Sequence, residues 1–63
     1  MASKEQEAAL RVGAAVVDRD PRMPGRRGTV VLITRETVGV EWNTGRATSF
    51  HRRTWGERFR VVE

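Results

Sequence analysis

The stretch PGRRGTVVLI, residues 24–33, decides the fold of this chain. Two glycines, Gly25 and Gly28, bracket a pair of arginines, and a run of β-branched and aliphatic residues follows at once. Pro24 and Gly25 suit the centre of a type II turn, whose second central residue has a positive φ angle. Gly28 is expected where a side chain would crowd a neighbouring strand. The stretch therefore predicts a tight turn that opens a β-strand, with its arginines displayed at the loop tip.

Short β-segments separated by turn residues surround this stretch. Val38, Val40 and Trp42 alternate with small or polar residues, which is the period of a half-buried strand. Gly45, in the turn that follows, suits a left-handed conformation. The predicted strands cover residues 12–18, 28–35, 37–42, 46–51 and 59–62.

The pattern of five short strands predicts an all-β fold, a small and strongly bent five-stranded barrel. A sheet this short hides its edges by closing on itself. The interior is small, because a chain of about 60 residues buries only ~60% of its unfolded surface. The predicted core consists of Val12, Val16, Val30, Ile33, Val38, Val40, Trp42, Phe50, Trp55, Phe59 and Val61.

The first residues, 1–11, are predicted to form a tail that is flexible or partly helical. Ser3 and Gln6 have the spacing of a capping box, and good helix formers follow Ser3. The segment is only about two turns long, however, and isolated helices below ~12 residues are marginal in water. We therefore divide the chain into an N-terminal tail, 1–11, which a partner could order, and one barrel domain, 12–63.

Glycines and apolar residues recur at set spacings: Gly13-x-x-Val16, Gly25-x-x-Gly28-x-Val30-x-x-Ile33 and Val38-x-Val40. This pattern resembles the KOW motif of SH3-like barrels, which occurs in ribosomal proteins and transcription elongation factors. The segment VEWNTG, residues 40–45, is similar to the Val-x-Trp-x-x-Gly hairpin of Tudor-type SH3-like domains. The resemblance spans residues 12–45 and implies an SH3-like barrel that binds RNA, DNA or RNA polymerase. A Tudor-type aromatic cage for a methylated side chain is not expected, because the chain has only four aromatic residues.

Arginine dominates the charge of the chain. Lys4 is the only lysine, the net charge is +4, and the sequence pI is about 11.4. Five arginines oppose one glutamate between Arg46 and Arg60, so this segment carries a net charge of +4, equal to that of the whole chain. A pI above ~9 is typical of nucleic-acid-binding domains. The alternative interpretation is the codon usage of a GC-rich genome, with charge serving solubility.

Two basic features carry the functional prediction. The segment HRRTW, residues 51–55, places arginines that can clamp phosphates beside Trp55, which is either a stacking surface or, as we favour, a plug beneath the last turn. The arginine-rich loop, residues 19–27, is the second feature. Arg58 and Arg60 are expected to point outward and to matter less. The predicted nucleic-acid-binding residues are Arg26, Arg27, Arg46, His51, Arg52 and Arg53.

Other chemistries have little support in the sequence. The chain has no cysteine and one histidine, so neither a thiolate nucleophile nor a zinc site is expected. His51 is interpreted as a surface residue at a strand end. We expect no enzymatic activity, no cofactor, no metal and no small-molecule substrate. No segment is apolar enough for a secretory signal or a membrane span, and a cytoplasmic location is expected.

The sequence thus favours a non-enzymatic binding module that contacts nucleic-acid phosphates without strong sequence choice. Two alternatives stay open. One is a protein-binding adaptor that docks on a larger machine such as RNA polymerase, the ribosome or a phage assembly, and the other is a structural subunit of a homo-oligomer. Small size and arginine bias are typical of phage or plasmid accessory proteins, and the oligomeric state is not predicted.

Overall fold

The computed structural model describes residues 3–62, which form one sheet and a short helix. The sheet is antiparallel in the order β4-β3-β2-β1-β5 and curls into a half-barrel, as expected for an SH3-like barrel. The all-β fold predicted from the sequence is therefore confirmed. The elements are α1 Lys4–Ala9, β1 Ala15–Asp18, β2 Arg27–Ile33, β3 Thr37–Trp42, β4 Ala47–His51, a 3₁₀ turn Trp55–Glu57 and β5 Phe59–Val61.

The two glycines of the opening stretch have the predicted roles. Gly25 has a φ of 79°, and the Arg26 N–H donates to the Met23 carbonyl at 3.3 Å, as in a type II turn. At Gly28 a Cβ atom would lie 2.7 Å from Val40 Cγ1 and 2.8 Å from the backbone oxygen of residue 41. Strands β2 and β3 can therefore approach closely only because residue 28 has no side chain.

The core largely matches the prediction. Eight of the predicted core residues are buried, and Ile33 and Phe50 pack against them in a half-buried position. Leu10 and Ala14, which were not predicted, complete the buried cluster. The buried residues are Leu10, Ala14, Val16, Val30, Val38, Val40, Trp42, Trp55, Phe59 and Val61.

The prediction for Val12 is wrong, since 61% of this residue is exposed. Strand β1 begins at Ala15 instead of residue 12. The chain turns before it, with the Ala14 N–H donating to the Arg11 carbonyl and Gly13 at a φ of 95°. This turn breaks the period-two alternation, so Val12 faces outward and Ala14 enters the core.

The N-terminal segment packs against the barrel. Ser3 caps α1, because its hydroxyl accepts the Gln6 N–H at 3.2 Å. Leu10, just after the helix, is only 8% exposed, and the Gln6 side chain hydrogen-bonds to Val61 on β5. The short helix is thus held by its own sheet. Within residues 3–62, no helix has the length and apolar character needed to cross a bilayer.

Candidate functional site

Strand register divides the predicted binding residues between two ends of the sheet. Gly28 on β2 pairs with Trp42 on β3, so Arg27 lies where β3 ends. Glu41 pairs with Ala47, which places the start of β4 beside the same strand ends. Arg26, Arg27 and Arg46 therefore share one end of the barrel, which we call the cleft end.

His51 and the residues after it lie at the opposite, far end. His51 pairs with Thr37, the first residue of β3. Thr37 and Glu41 are four residues apart, which corresponds to about 13 Å along an extended strand. Arg52 and Arg53 follow His51 directly. The six predicted residues consequently do not form one patch.

The cleft end contains a concave site of about 610 Å³. Strand β5 contributes to it because Phe59 pairs with Asp18 at the end of β1, which brings the preceding residue, Arg58, to this end. Thr44, Thr48 and Phe50 also line the site. We call it the arginine cleft, after four arginines that face two aspartates: Arg22, Arg26, Arg46 and Arg58, with Asp18 and Asp20.

Arg26 is folded into the protein and is not displayed at the loop tip as predicted. Its Nη1 lies 3.2 Å from Asp18 Oδ2, and these side chains are 18% and 10% exposed. Its guanidinium carbon lies 4.3 Å from the centroid of the Trp42 ring, a cation–π contact. Arg26 Nε and Trp42 Nε1 are buried without a hydrogen-bond acceptor in the described chain. Asp18 thus neutralises the charge of Arg26, while the Arg26 Nε–H and the Trp42 Nε1–H remain without an acceptor.

Arg22 is also paired, but at the exposed rim. Its Nε and Nη2 atoms each donate to the Asp20 carboxylate at 3.1 Å. The Arg22 side chain is 87% exposed. Its side-chain hydrogen bonds, followed by the bond from its backbone N–H, lower the pKa of Asp20 below the usual value. The same pairing raises the pKa of Arg22.

Arg46 and Arg58 differ from the other two cleft arginines. Neither makes an ion pair within residues 3–62, whereas Arg22 and Arg26 are each paired with an aspartate. Both are exposed, and the Arg58 guanidinium carbon lies 5.8 Å from the centroid of the Phe50 ring. The net positive charge of the cleft therefore rests on these two side chains, which can pair with an anion without breaking an ion pair.

The four aromatic residues form a single cluster behind the cleft. Trp55 stacks on Phe59 at 5.1 Å, and Phe50 contacts both Phe59 and Trp42. Trp55 and Trp42 are only 1% and 3% exposed, so both are core residues and the interpretation of Trp55 as a plug is confirmed. Phe50 is the aromatic side chain that lines the cleft.

At the far end, Arg52 and His51 make contacts within the protein. Arg52 Nη2 lies 3.2 Å from Glu7 Oε1, and its Nη1 donates to the Thr34 carbonyl at 3.3 Å, so this arginine ties α1 to the sheet. His51 is an exposed strand-end residue whose Nδ1 accepts the Arg53 N–H at 3.1 Å. No cluster of three or more potential metal ligands occurs in the described part of the chain.

Sequence reasoning missed the position of Arg58. The alternation of β5 predicted that Arg58 and Arg60 point outward, and both are exposed. Arg58, however, precedes the strand and lines the cleft. Only the pairing of β5 with β1 brings it there, and that pairing leaves no local pattern in the sequence.

Comparisons with protein-family models, with characterised proteins and with solved structures find no match for this chain.

Proposed function

We propose that this protein is a non-enzymatic nucleic-acid-binding module that contacts backbone phosphates through the arginine cleft. The observation that carries the proposal is that Arg46 and Arg58 line one cleft without ion-pair partners in residues 3–62. Guanidinium groups present donors in a planar fork that matches phosphate oxygens, and such charge-assisted hydrogen bonds are strong.

The charge balance of the cleft supports weak binding that is sensitive to salt. Arg22 and Arg26 are already neutralised by aspartates, so we expect about two phosphate contacts at the cleft. On duplex DNA the logarithm of the binding constant falls by about 0.9 per decade of salt for each neutralised phosphate. The KOW-like and Tudor-like pattern of residues 12–45 adds support, since barrels with such patterns often bind nucleic acid or its machinery.

A titration against salt tests the proposal with charge-matched variants. Fluorescence anisotropy of a labelled oligonucleotide gives the binding constant at several salt concentrations. The double variant Arg46→Ala/Arg58→Ala should flatten the salt dependence by about two phosphate contacts. The control Arg35→Ala/Arg53→Ala removes the same charge from exposed positions at the far end, and it should change the slope far less.

Two results would contradict the proposal. If the control pair flattens the slope as much as the cleft pair, the far end holds the phosphates. If no nucleic acid binds at low salt while poly-glutamate does, the cleft receives an acidic protein segment and the chain is an adaptor.

A further inference from the structure

We infer that the arginine cleft receives an unpaired base, so that the ligand is single-stranded nucleic acid. This inference rests on the proposed function and adds the form of the ligand. It starts from the combination of an aromatic ring, a movable guanidinium plane and an unpaired arginine in one concave site: Phe50, Arg58 and Arg46.

Phe50 provides a fixed stacking surface. It is half-buried and packs on the core while still lining the cleft. Its ring lies edge-on to Trp42, with centroids 6.4 Å apart and an interplanar angle of 87°, and it is tilted against Phe59 at 5.3 Å. These contacts with core residues restrict the movement of the Phe50 ring. An aromatic ring placed in this way can stack on any base, because every base has a π face.

Arg58 can cover the other face of a base. Its guanidinium carbon lies 5.8 Å from the Phe50 centroid. Atoms in van der Waals contact are about 3.5 Å apart, so a base between two flat groups needs roughly 7 Å. Arg58 is exposed, and the opening needs a shift of at least about 1 Å by this flexible side chain. Arginine planes and aromatic rings are the groups on which proteins stack splayed bases.

The rest of the cleft has room for one nucleotide, and it offers few groups that could distinguish one base from another. The volume of about 610 Å³ is within the ~300–1,000 Å³ of sites that enclose small molecules. Arg46 offers a phosphate contact in the same cleft. Asp18 and Asp20 are already ion-paired with Arg26 and Arg22, and each also accepts a backbone N–H, so they contribute little base selection. This arrangement favours stacking on any base, with little sequence selectivity.

A base that remains paired in a duplex cannot enter the cleft, because its two faces are covered by its neighbours in the stack. Extruding it requires unpairing and unstacking. Duplex DNA should therefore contact only the arginines at the rim, whereas a single strand gains the stacking contact as well. A higher affinity for single strands than for duplex therefore distinguishes base stacking from phosphate binding alone.

The experiment compares strands that carry the same phosphates with and without bases. A labelled oligothymidine of about 10 nucleotides is measured by fluorescence anisotropy beside an abasic strand of equal length. Oligouridine and a duplex are measured in parallel, so that DNA and RNA single strands are distinguished. We expect the strand with bases to bind about tenfold more tightly than the abasic strand, since base–aromatic stacking contributes strongly to single-strand binding.

Two variants locate the effect. Phe50→Leu removes the aromatic face but keeps apolar volume against the core, and it should reduce the tenfold preference to nearly none. Far-UV circular dichroism and the melting temperature show that the variant is folded, and comparison of the two strands within one variant isolates the contribution of the bases. Arg58→Lys keeps the charge and removes the flat guanidinium, and it should reduce the preference at an exposed position where folding is not at risk.

The outcomes separate the two proposals. Equal affinity for the abasic strand and the strand with bases overturns the inference and leaves the proposed phosphate binding intact. A preference for bases that survives both Phe50→Leu and Arg58→Lys also overturns it, because stacking then occurs elsewhere. Absence of binding to every strand at low salt overturns the proposed function itself.

Discussion

The side-chain amide of Gln6 pairs with the backbone of Val61 as a neighbouring strand would. Gln6 Oε1 accepts the Val61 N–H at 2.7 Å, and Gln6 Nε2 donates to the Val61 carbonyl at 3.1 Å. Val61 belongs to β5, which is an edge of the sheet. Unpaired edge groups invite pairing with another chain, and proteins often cover them. One glutamine thus satisfies both backbone groups of this residue and anchors α1.

Replacing Gln6 by alanine should destabilise the whole barrel. Val61 is 5% exposed, so its N–H would lose its acceptor in a nearly dry site, which costs about 1–2 kcal/mol. For a domain of this size the melting temperature should fall by roughly 10 °C. Glu5→Ala, on the exposed side of the same helix, is the control and should change little. Equal melting temperatures for the two variants would show that α1 is not docked in solution.

Gly28 and Gly25 should both resist substitution by alanine, for different reasons. A Cβ at residue 28 meets Val40, the backbone at residue 41 and Trp42 at 2.7–2.8 Å, and overpacking of this kind costs about 1–3 kcal/mol or more. A Cβ at residue 25 has nothing within 4 Å, but the φ of 79° is unfavourable for a side chain and costs roughly 1–2 kcal/mol. Urea denaturation measures both changes. A fully stable Gly28→Ala variant would mean that β2 and β3 are further apart than described.

The pairing between Asp18 and Arg26 should contribute more to stability than its exposed counterpart between Asp20 and Arg22. Asp18→Asn keeps the side-chain shape but leaves the part-buried Arg26 charge unpaired. The expected loss is about 2 kcal/mol, below the ~3–5 kcal/mol typical of a fully buried pair. Asp20→Asn is the control and should have a smaller effect, because solvent screens an exposed pair.

A compensating variant checks the cause of that loss. Adding Arg26→Met to Asp18→Asn removes the uncompensated charge and should recover much of the stability, as replacement of ion pairs by apolar side chains often does. Thermal unfolding followed by circular dichroism gives the melting temperature of the unsubstituted protein, the two single variants Asp18→Asn and Asp20→Asn, and the double variant. If the double variant is no more stable than Asp18→Asn alone, the unpaired charge is not the cause.

Arg22→Ala should raise the pKa of Asp20 towards its ordinary value of 3.8, because the main cause of the lowered pKa is the side-chain hydrogen bond from Arg22. The pKa of Asp20 is depressed in the folded state, so the stabilisation by this pair is present above the unfolded pKa. It is lost as the pH falls through the folded pKa. Carboxyl carbon NMR measures the titration, with Arg35→Ala as the control. An unchanged Asp20 titration in Arg22→Ala would show that the pair does not persist in solution.

Local chemistry made much of the fold predictable. The φ angles of Gly25 and Gly45, 79° and 88°, follow from turns that only a residue without a side chain adopts easily. The bounds of β3, Thr37–Trp42, follow from period-two alternation, which requires no knowledge of the partner strands. The Ser3 cap was also predictable, because its acceptor and donor are three residues apart.

The tertiary structure decided the roles that depend on distant residues. The capping-box spacing of Ser3 and Gln6 identified the helix start, but the Gln6 side chain bonds to Val61, 55 residues away. Val12 continued the apolar alternation of β1, yet the Gly13 N–H donates to the Val30 carbonyl on β2 and Val12 lies outside the sheet. In each case a contact with a residue distant in the sequence outweighed the local preference.

At the candidate site, local sequence and strand register again decided different features. Composition alone established that the chain is rich in arginine, and motif spacing placed those arginines in loops and at strand ends. Antiparallel register then put Arg46 and Arg58 in one cleft and took Arg52 to the far end, where it pairs with Glu7. Register is fixed by how all five strands bury their apolar faces together, so no single segment of the sequence contains it.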